Sequence, residues 1–192
     1  MTRLFGAAVL AATFANAAEQ HLMEGSATST VRVLIYEDLQ CPDCADFRNM
    51  LDRQILPRYS TTVGFEHRDF PLAKHAWARK AAIAARFFEE AQPGLGIAYR
   101  KYALSNLRAI NLDNFNDRLS EFAQAHGVDP AQSVASLSDQ RLAVLVEKDY
   151  QEGVARGIAK TPTILVNGTP FIETFAFEDV AKAIDAELAA SK

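Results

Sequence analysis

The chain of 192 residues contains two cysteines, and they stand three positions apart in Cys41-Pro42-Asp43-Cys44. Two thiols this close can exchange disulfides, supply half of a zinc site, or close a structural bridge. A bridge over so short a loop constrains the unfolded chain least, which makes stability a poor reason for the pair. Structural zinc needs two more ligands, and there is no second cysteine pair. Of the four histidines, His67 and His75 are separated by a distance that matches no common finger spacing, so no metal is expected. Thiol exchange asks instead for an attacking thiolate, a second thiol to resolve the mixed disulfide, and a field that stabilises negative charge. Pro42 suits the first position of a helix whose apolar residues recur at Cys44, Phe47, Leu51 and Ile55. Cys41 then sits at the helix N-terminus, where unpaired N–H groups and the helix dipole favour a thiolate. The expectation is an exposed, acidic Cys41 that attacks and a buried Cys44 that resolves. Asp43 adds a like charge between them, which tempers the acidity.

The elements that must hold this pair are readable on either side. Val31 to Tyr36 is a β-branched run typical of a buried strand, ending at Glu37-Asp38, and Pro57 ends or kinks the helix after Cys44. Thr62 to Phe70 alternates through Val63, Phe65 and His67, as a second strand would. From about 74 to 159 the pattern is helical throughout. Its stripes are Trp77, Ala81, Ala84, Phe88, then Phe115, Leu119, Phe122, Ala123, then Leu142, Leu145, Val146, Tyr150, Val154. Three or four helices packed as one insertion are expected there. Thr163 to Val166, Asn167-Gly168 and Pro170-Phe171-Ile172 form a hairpin signal, and Val180, Ala181, Ile184 and Leu188 mark a last helix behind Glu178 and Asp179. The fold class is therefore α/β with an inserted helical block.

The net charge of -4 is spread over mixed signs without a basic run, which argues against nucleic acid as a partner. At the N-terminus, Arg3, the apolar run Leu4 to Phe14 and Ala15-Asn16-Ala17 have the form of a secretory signal peptide over 1–17, cleaved near Ala17. That run is far below the roughly 20 residues of a spanning helix, so no permanent membrane anchor is expected. Residues 18 to 29 are polar and small and suit an N-terminal arm of the mature domain at 18–192. No glycine-rich phosphate loop or other cofactor motif occurs, and no cofactor is expected.

Glu37-Asp38-Leu39-Gln40-Cys41-Pro42-Asp43-Cys44, Arg68-Asp69-Phe70-Pro71-Leu72 and Thr161-Pro162-Thr163 together resemble the DsbA-like branch of the thioredoxin superfamily. The resemblance spans nearly all the mature chain and includes the helical insertion and the late Asn-Gly hairpin. It implies a thioredoxin fold with an inserted helical subdomain, Cys41 and Cys44 as a redox-active disulfide, and a cis bond at Pro162. It also implies that Thr161 and Pro162 present backbone to an extended substrate. The implied activity is that of an exported, periplasmic or secreted thiol-disulfide oxidoreductase. Its partners would be client proteins bearing thiols or disulfides and a separate redox partner that resets the site. Related proteins carry a buried carboxylate six positions before the first cysteine, where this chain has Ile35. Glu37 and Asp38 are expected to be wetter, and His75 is expected to be an ordinary helix-start histidine. Three readings compete on the residues: an enzyme that forms disulfides, a reductase or isomerase of the same fold, and a binding or chaperone-like module whose cysteines are an inert bridge. A relative that binds glutathione in the same cleft is disfavoured by the presence of Cys44.

Overall fold

A computed structural model describes residues 21–191. The signal-peptide expectation lies outside them. Five strands form one sheet in the order β1-β3-β2-β4-β5: β1 Leu22–Gly25, β2 Arg32–Glu37, β3 Gly64–Asp69, β4 Thr163–Val166 and β5 Thr169–Ile172. β2 runs parallel to β3 and antiparallel to β4. The β2-to-β3 crossover carries α1 Pro42–Met50, a π-helical turn Leu51–Ile55 and α2 Leu56–Tyr59. Pro57 does not end the helix. It has no N–H and its ring crowds the carbonyl four residues back, and the widened π turn just before it makes that room.

Between β3 and β4 lie five α-helices rather than three or four: α3 Ala78–Ala91, α4 Leu95–Ser105, α5 Phe115–Ala125, α6 Pro130–Ala135 and α7 Gln140–Ala155. The short α6 carries no long apolar stripe, which is why periodicity missed it. The chain closes with α8 Phe177–Ala190.

Alternation along the central strands builds two interfaces. On one face Val33, Ile35, Phe65, Ile164 and Val166 pack against α1, the π turn and α8 through Phe47, Leu51, Ile55, Val180 and Ile184. On the other, Tyr36 and Leu165 meet Phe70, with Tyr150 of α7 packed against them. Gly153 lets α7 approach closely, since a Cβ there would stand 2.7 Å from the Phe70 ring. Val154, expected on the buried stripe of α7, is 47% exposed, and Asp149 and Gly153 face inward instead. The helical block has its own apolar core of Trp77, Phe88, Tyr99, Phe115 and Phe122, which reaches Leu39, Cys41 and Cys44. The two cysteines thus lie at the seam between the sheet unit and the inserted helices.

The segment expected to be a polar arm is in part a strand. Leu22–Gly25 pairs antiparallel with β3, and Leu22 is buried. Four residues carry too short a pattern to be seen in isolation; the edge of β3 supplies the partner. The Asn167-Gly168 turn has φ of 43° and 99° at its two central residues, the left-handed geometry that a tight hairpin with β4 and β5 requires.

Candidate active site

β2 ends at Glu37, and the chain turns through Asp38 to Gln40 before α1 begins. Cys41 caps α1 in extended conformation, with Pro42 in its first turn. Its own N–H donates to the Asp38 carbonyl at 3.0 Å, and its carbonyl accepts from the Ala45 N–H at 3.2 Å. The Cys41 thiol donates to the Thr161 carbonyl at 3.4 Å, and the Thr161–Pro162 bond is cis. Residues 120 apart in sequence are thereby brought into contact. Cys44 is fully buried one turn on, and its Sγ accepts from the Asp38 N–H at 3.4 Å. Both cysteines are free thiols.

Cys41 is not the exposed thiol expected from its position. It is 4% exposed, because Leu39, Trp77 and the Thr161 turn close around it. It borders a cleft of about 390 Å³ together with Asp43, Leu72, Lys74, Lys160, Thr161 and Glu173.

The two sulfurs differ in acidity. The neighbouring Cys44 thiol, outweighing burial, lowers the Cys41 pKa to about 6, with further lowering from Thr161 and from the Cys44 and Asp43 N–H groups at the helix start. The helix N-terminus therefore assists, while the second thiol acts most. Burial pushes Cys44 well above the ordinary thiol value, and its contact with Cys41 and the negative charge of Glu37 add to this. We expect the ultraviolet absorbance of the Cys41 thiolate to titrate with a midpoint near 6, and a midpoint close to the ordinary value of 9.0 would contradict this geometry. A depressed thiol pKa stabilises the reduced fold fully above the ordinary value, and that gain is lost as pH falls through about 6.

The acids beside the site are dry. Glu37 and Asp38 are 2% and 1% exposed. Glu37 lies on the same sheet face as Ile35, two residues further along β2, so a buried carboxylate is present nearer the cysteines than the one the resemblance led us to seek. Its Oε1 accepts from His67 Nδ1 at 2.6 Å and from Arg100 Nε of α4 at 2.8 Å. Burial pushes its carboxyl up, but Arg100 and His67 outweigh this and hold it well below the usual carboxylate range. Arg100 also donates to Asp69 at 2.6 Å, and Arg86 of α3 joins Asp69 to Asp149 of α7. Asp149 is raised, by burial first and by the Asp69 charge second.

Asp38 ties the turn to the helical block. Its carboxylate accepts from the Gln40 and Leu72 N–H groups, each at 2.7 Å, and from His75 Nδ1 at 2.8 Å. Gln40 in turn accepts from the Trp77 N–H at 2.8 Å. His75 is therefore more than a helix-start histidine, and it precedes α3 by three residues. Gln40 stands in the motif and Trp77 on the expected core stripe, whereas Arg100 carries no local signal, since nothing nearby in sequence pairs it with Glu37 across 63 residues. Among the described residues there is no group of His, Cys, Asp and Glu suited to a metal, and no helix is long and apolar enough to cross a membrane.

Three comparisons bear on this arrangement. No curated protein matches the chain. Among solved structures it is similar to oxidised BdbD of Bacillus subtilis, with a TM-score of 0.79 at 22% identity over 88% of this chain and 93% of that one. It is similar to α-DsbA1 of Wolbachia pipientis, with a TM-score of 0.77 at 17% identity over 88% and 92%. It is likewise similar to the thiol-disulfide exchange protein α-DsbA2 of the same organism, with a TM-score of 0.74 at 18% identity over 86% of each chain. These likenesses establish a DsbA-like thioredoxin fold, helical insertion included. A thioredoxin family model matches residues 17–186, which take in both cysteines, the Thr161–Pro162 turn and most of the last helix, and the chain belongs to that family.

Proposed function

We propose that this protein is an exported thiol-disulfide oxidoreductase that introduces disulfides into client proteins through Cys41 and Cys44. The observation that carries the reading is the asymmetry of the pair. Cys41 has a lowered pKa of about 6 and borders a cleft of about 390 Å³, while Cys44 is buried beside it with its pKa raised well above the ordinary thiol value. In the oxidising direction a client thiolate attacks Cys41 Sγ of the disulfide form. The Cys41–Cys44 bond breaks, and Cys44 leaves and takes up a proton. A second client thiolate then attacks the client sulfur of the mixed disulfide, expelling Cys41 as a thiolate. The client is oxidised by two electrons and the enzyme reduced by two, so a separate disulfide-bearing redox partner must reset it. A low Cys41 pKa stabilises the reduced enzyme and makes its disulfide the better oxidant, which favours formation over reduction. The Thr161 and Pro162 backbone beside Cys41 suits pairing with an extended client.

Two measurements test the reading. Equilibration with glutathione should give a potential at the oxidising end of the range of roughly -270 to -120 mV spanned by thioredoxin-fold proteins, and the disulfide form should oxidise a reduced, unfolded client. A potential near the reducing end would make the protein a reductase. Export is tested separately by N-terminal sequencing of protein recovered from a bacterial host. The chain should begin near residue 18, and a chain beginning at Met1 would place it in a reducing compartment.

A further inference from the structure

Disulfide exchange places negative charge on each sulfur of the pair in turn, and Cys44 stands where that charge is hardest to carry. When a client thiolate attacks Cys41 Sγ, a bond forms between those two sulfurs, the Cys41–Cys44 bond breaks, and its electron pair leaves on Cys44 Sγ. In the reverse direction Cys44 attacks as a thiolate, so the same charge passes through the same transition state. The reduced pair is the product of the first direction, and its contacts are those that the leaving sulfur acquires. Cys44 is fully buried, and burial, the Cys41 thiol and the Glu37 charge all disfavour its thiolate. A thiol that resists ionisation leaves slowly. The Asp38 N–H acts the other way: it donates to Cys44 Sγ at 3.4 Å and favours the thiolate.

Asp38 is held so that this N–H stays in place. Its carbonyl accepts from the Cys41 N–H at 3.0 Å, so its backbone meets both members of the pair. Its carboxylate is completely buried and gripped from two sides. Oδ1 accepts from the Gln40 N–H inside the turn, while Oδ2 accepts from the Leu72 N–H at 2.7 Å and from His75 Nδ1 at 2.8 Å. The His75 N–H donates to the Leu72 carbonyl at 3.0 Å, which closes residues 72–75 into a turn around Oδ2. His75 comes from 37 residues away, so this clasp is tertiary. A staple of the fold could end on any residue of the active-site turn; this one ends on the residue whose N–H meets Cys44. We propose that the Asp38 N–H is a preorganised donor that stabilises negative charge on Cys44 Sγ during exchange, and that His75 is the positioning residue that holds it there through the Asp38 carboxylate. The proposal rests on the oxidoreductase reading and applies to disulfide formation and reduction alike. A donor already aimed at a sulfur that becomes charged in a dry site needs no reorganisation at the moment of reaction. A hydrogen bond to a charged group is strong enough for its loss to slow the step about tenfold.

The test follows reduction of the oxidised full-length protein by dithiothreitol, whose second thiol makes the step irreversible, with acid-quenched samples resolved by mass. Wild type is compared with His75→Ala, His75→Leu and His75→Asn. Leucine fills the space of the imidazole without a donor, and asparagine keeps a neutral N–H near the place of Nδ1. His75→Ala and His75→Leu should cleave the Cys41–Cys44 disulfide about tenfold more slowly, and His75→Asn at close to the wild-type rate. A second arm separates stabilisation of the leaving sulfur from general loosening of the turn. In Cys44→Ser carrying glutathione on Cys41 as a mixed disulfide, dithiothreitol cleaves a bond in which Cys44 has no part, and adding His75→Leu should leave that rate unchanged. Equal slowing in the two arms, no slowing in either, or a His75→Asn protein as slow as His75→Leu would overturn the proposal. The oxidoreductase reading is judged apart from this, by transfer of the wild-type disulfide to a reduced client. Failure of that transfer would sink the reading, whereas the rates with dithiothreitol bear on Asp38 and His75 alone.

Discussion

Cys44→Ser is expected to accumulate covalent adducts with client proteins, and Cys41→Ser to accumulate almost none. The expectation follows from burial and acidity together. In Cys44→Ser the Cys41 sulfur still opens onto the cleft, but no second thiol lies within reach to expel a bound client. In Cys41→Ser the remaining Cys44 is fully buried and its pKa is raised, so it is neither accessible nor ionised. Turnover should vanish in both, by at least the 10²-fold or so that separates an activated nucleophile from none. Non-reducing electrophoresis of each variant after incubation with a reduced or mixed-disulfide client reads the difference. Equal trapping in the two variants would mean that the attacking and resolving roles are wrongly divided.

Arg100→Met should cost about 3–5 kcal/mol of folding stability, the range for removing one partner of a buried ion pair. Arg100 is 1% exposed and serves two buried carboxylates, Glu37 at 2.8 Å and Asp69 at 2.6 Å, so its loss strands both. The pH dependence should change with it. In the wild type the depressed Glu37 pKa contributes stability that is present above the ordinary value and is lost only as pH falls through the depressed one. Without Arg100, burial is opposed only by His67 and Arg48, so the Glu37 pKa rises and the variant should be less destabilised in acid than at neutral pH. Adding Glu37→Gln should recover part of the loss. Urea denaturation across pH measures all three. A loss below about 1 kcal/mol, the scale of an exposed pair such as Arg118–Glu121, would mean that the network does not hold the helical block to the active-site turn.

How much of this was legible beforehand varies with the range of the interaction involved. The Cys41-Pro42-Asp43-Cys44 motif at a helix start, the strand before it, the Asn167-Gly168 hairpin and the stripes of α3 and α5 are local patterns. Period, capping and turn chemistry act within a few residues, so the sequence alone determined where the two cysteines would sit and on which elements. Determining what surrounds that pair required the fold. β1 has four residues and exists because the edge of β3 accepts it. Glu37 and Asp38 read as wet strand-end acids because nothing nearby in sequence neutralises them. They are dry because Arg100, His67 and His75 arrive from 30 to 63 residues away, and a buried carboxylate is tolerable only when such partners converge on it. The burial of Cys41 likewise depends on Trp77 and Thr161, and its acidity on a thiol one helical turn distant as well as on the helix itself. The sequence by itself determined the position of the cysteine pair and the secondary structure that bears it. Only the tertiary structure decided the electrostatics and access of that pair, because desolvation and charge pairing depend on distance in space, to which separation along the chain is no guide.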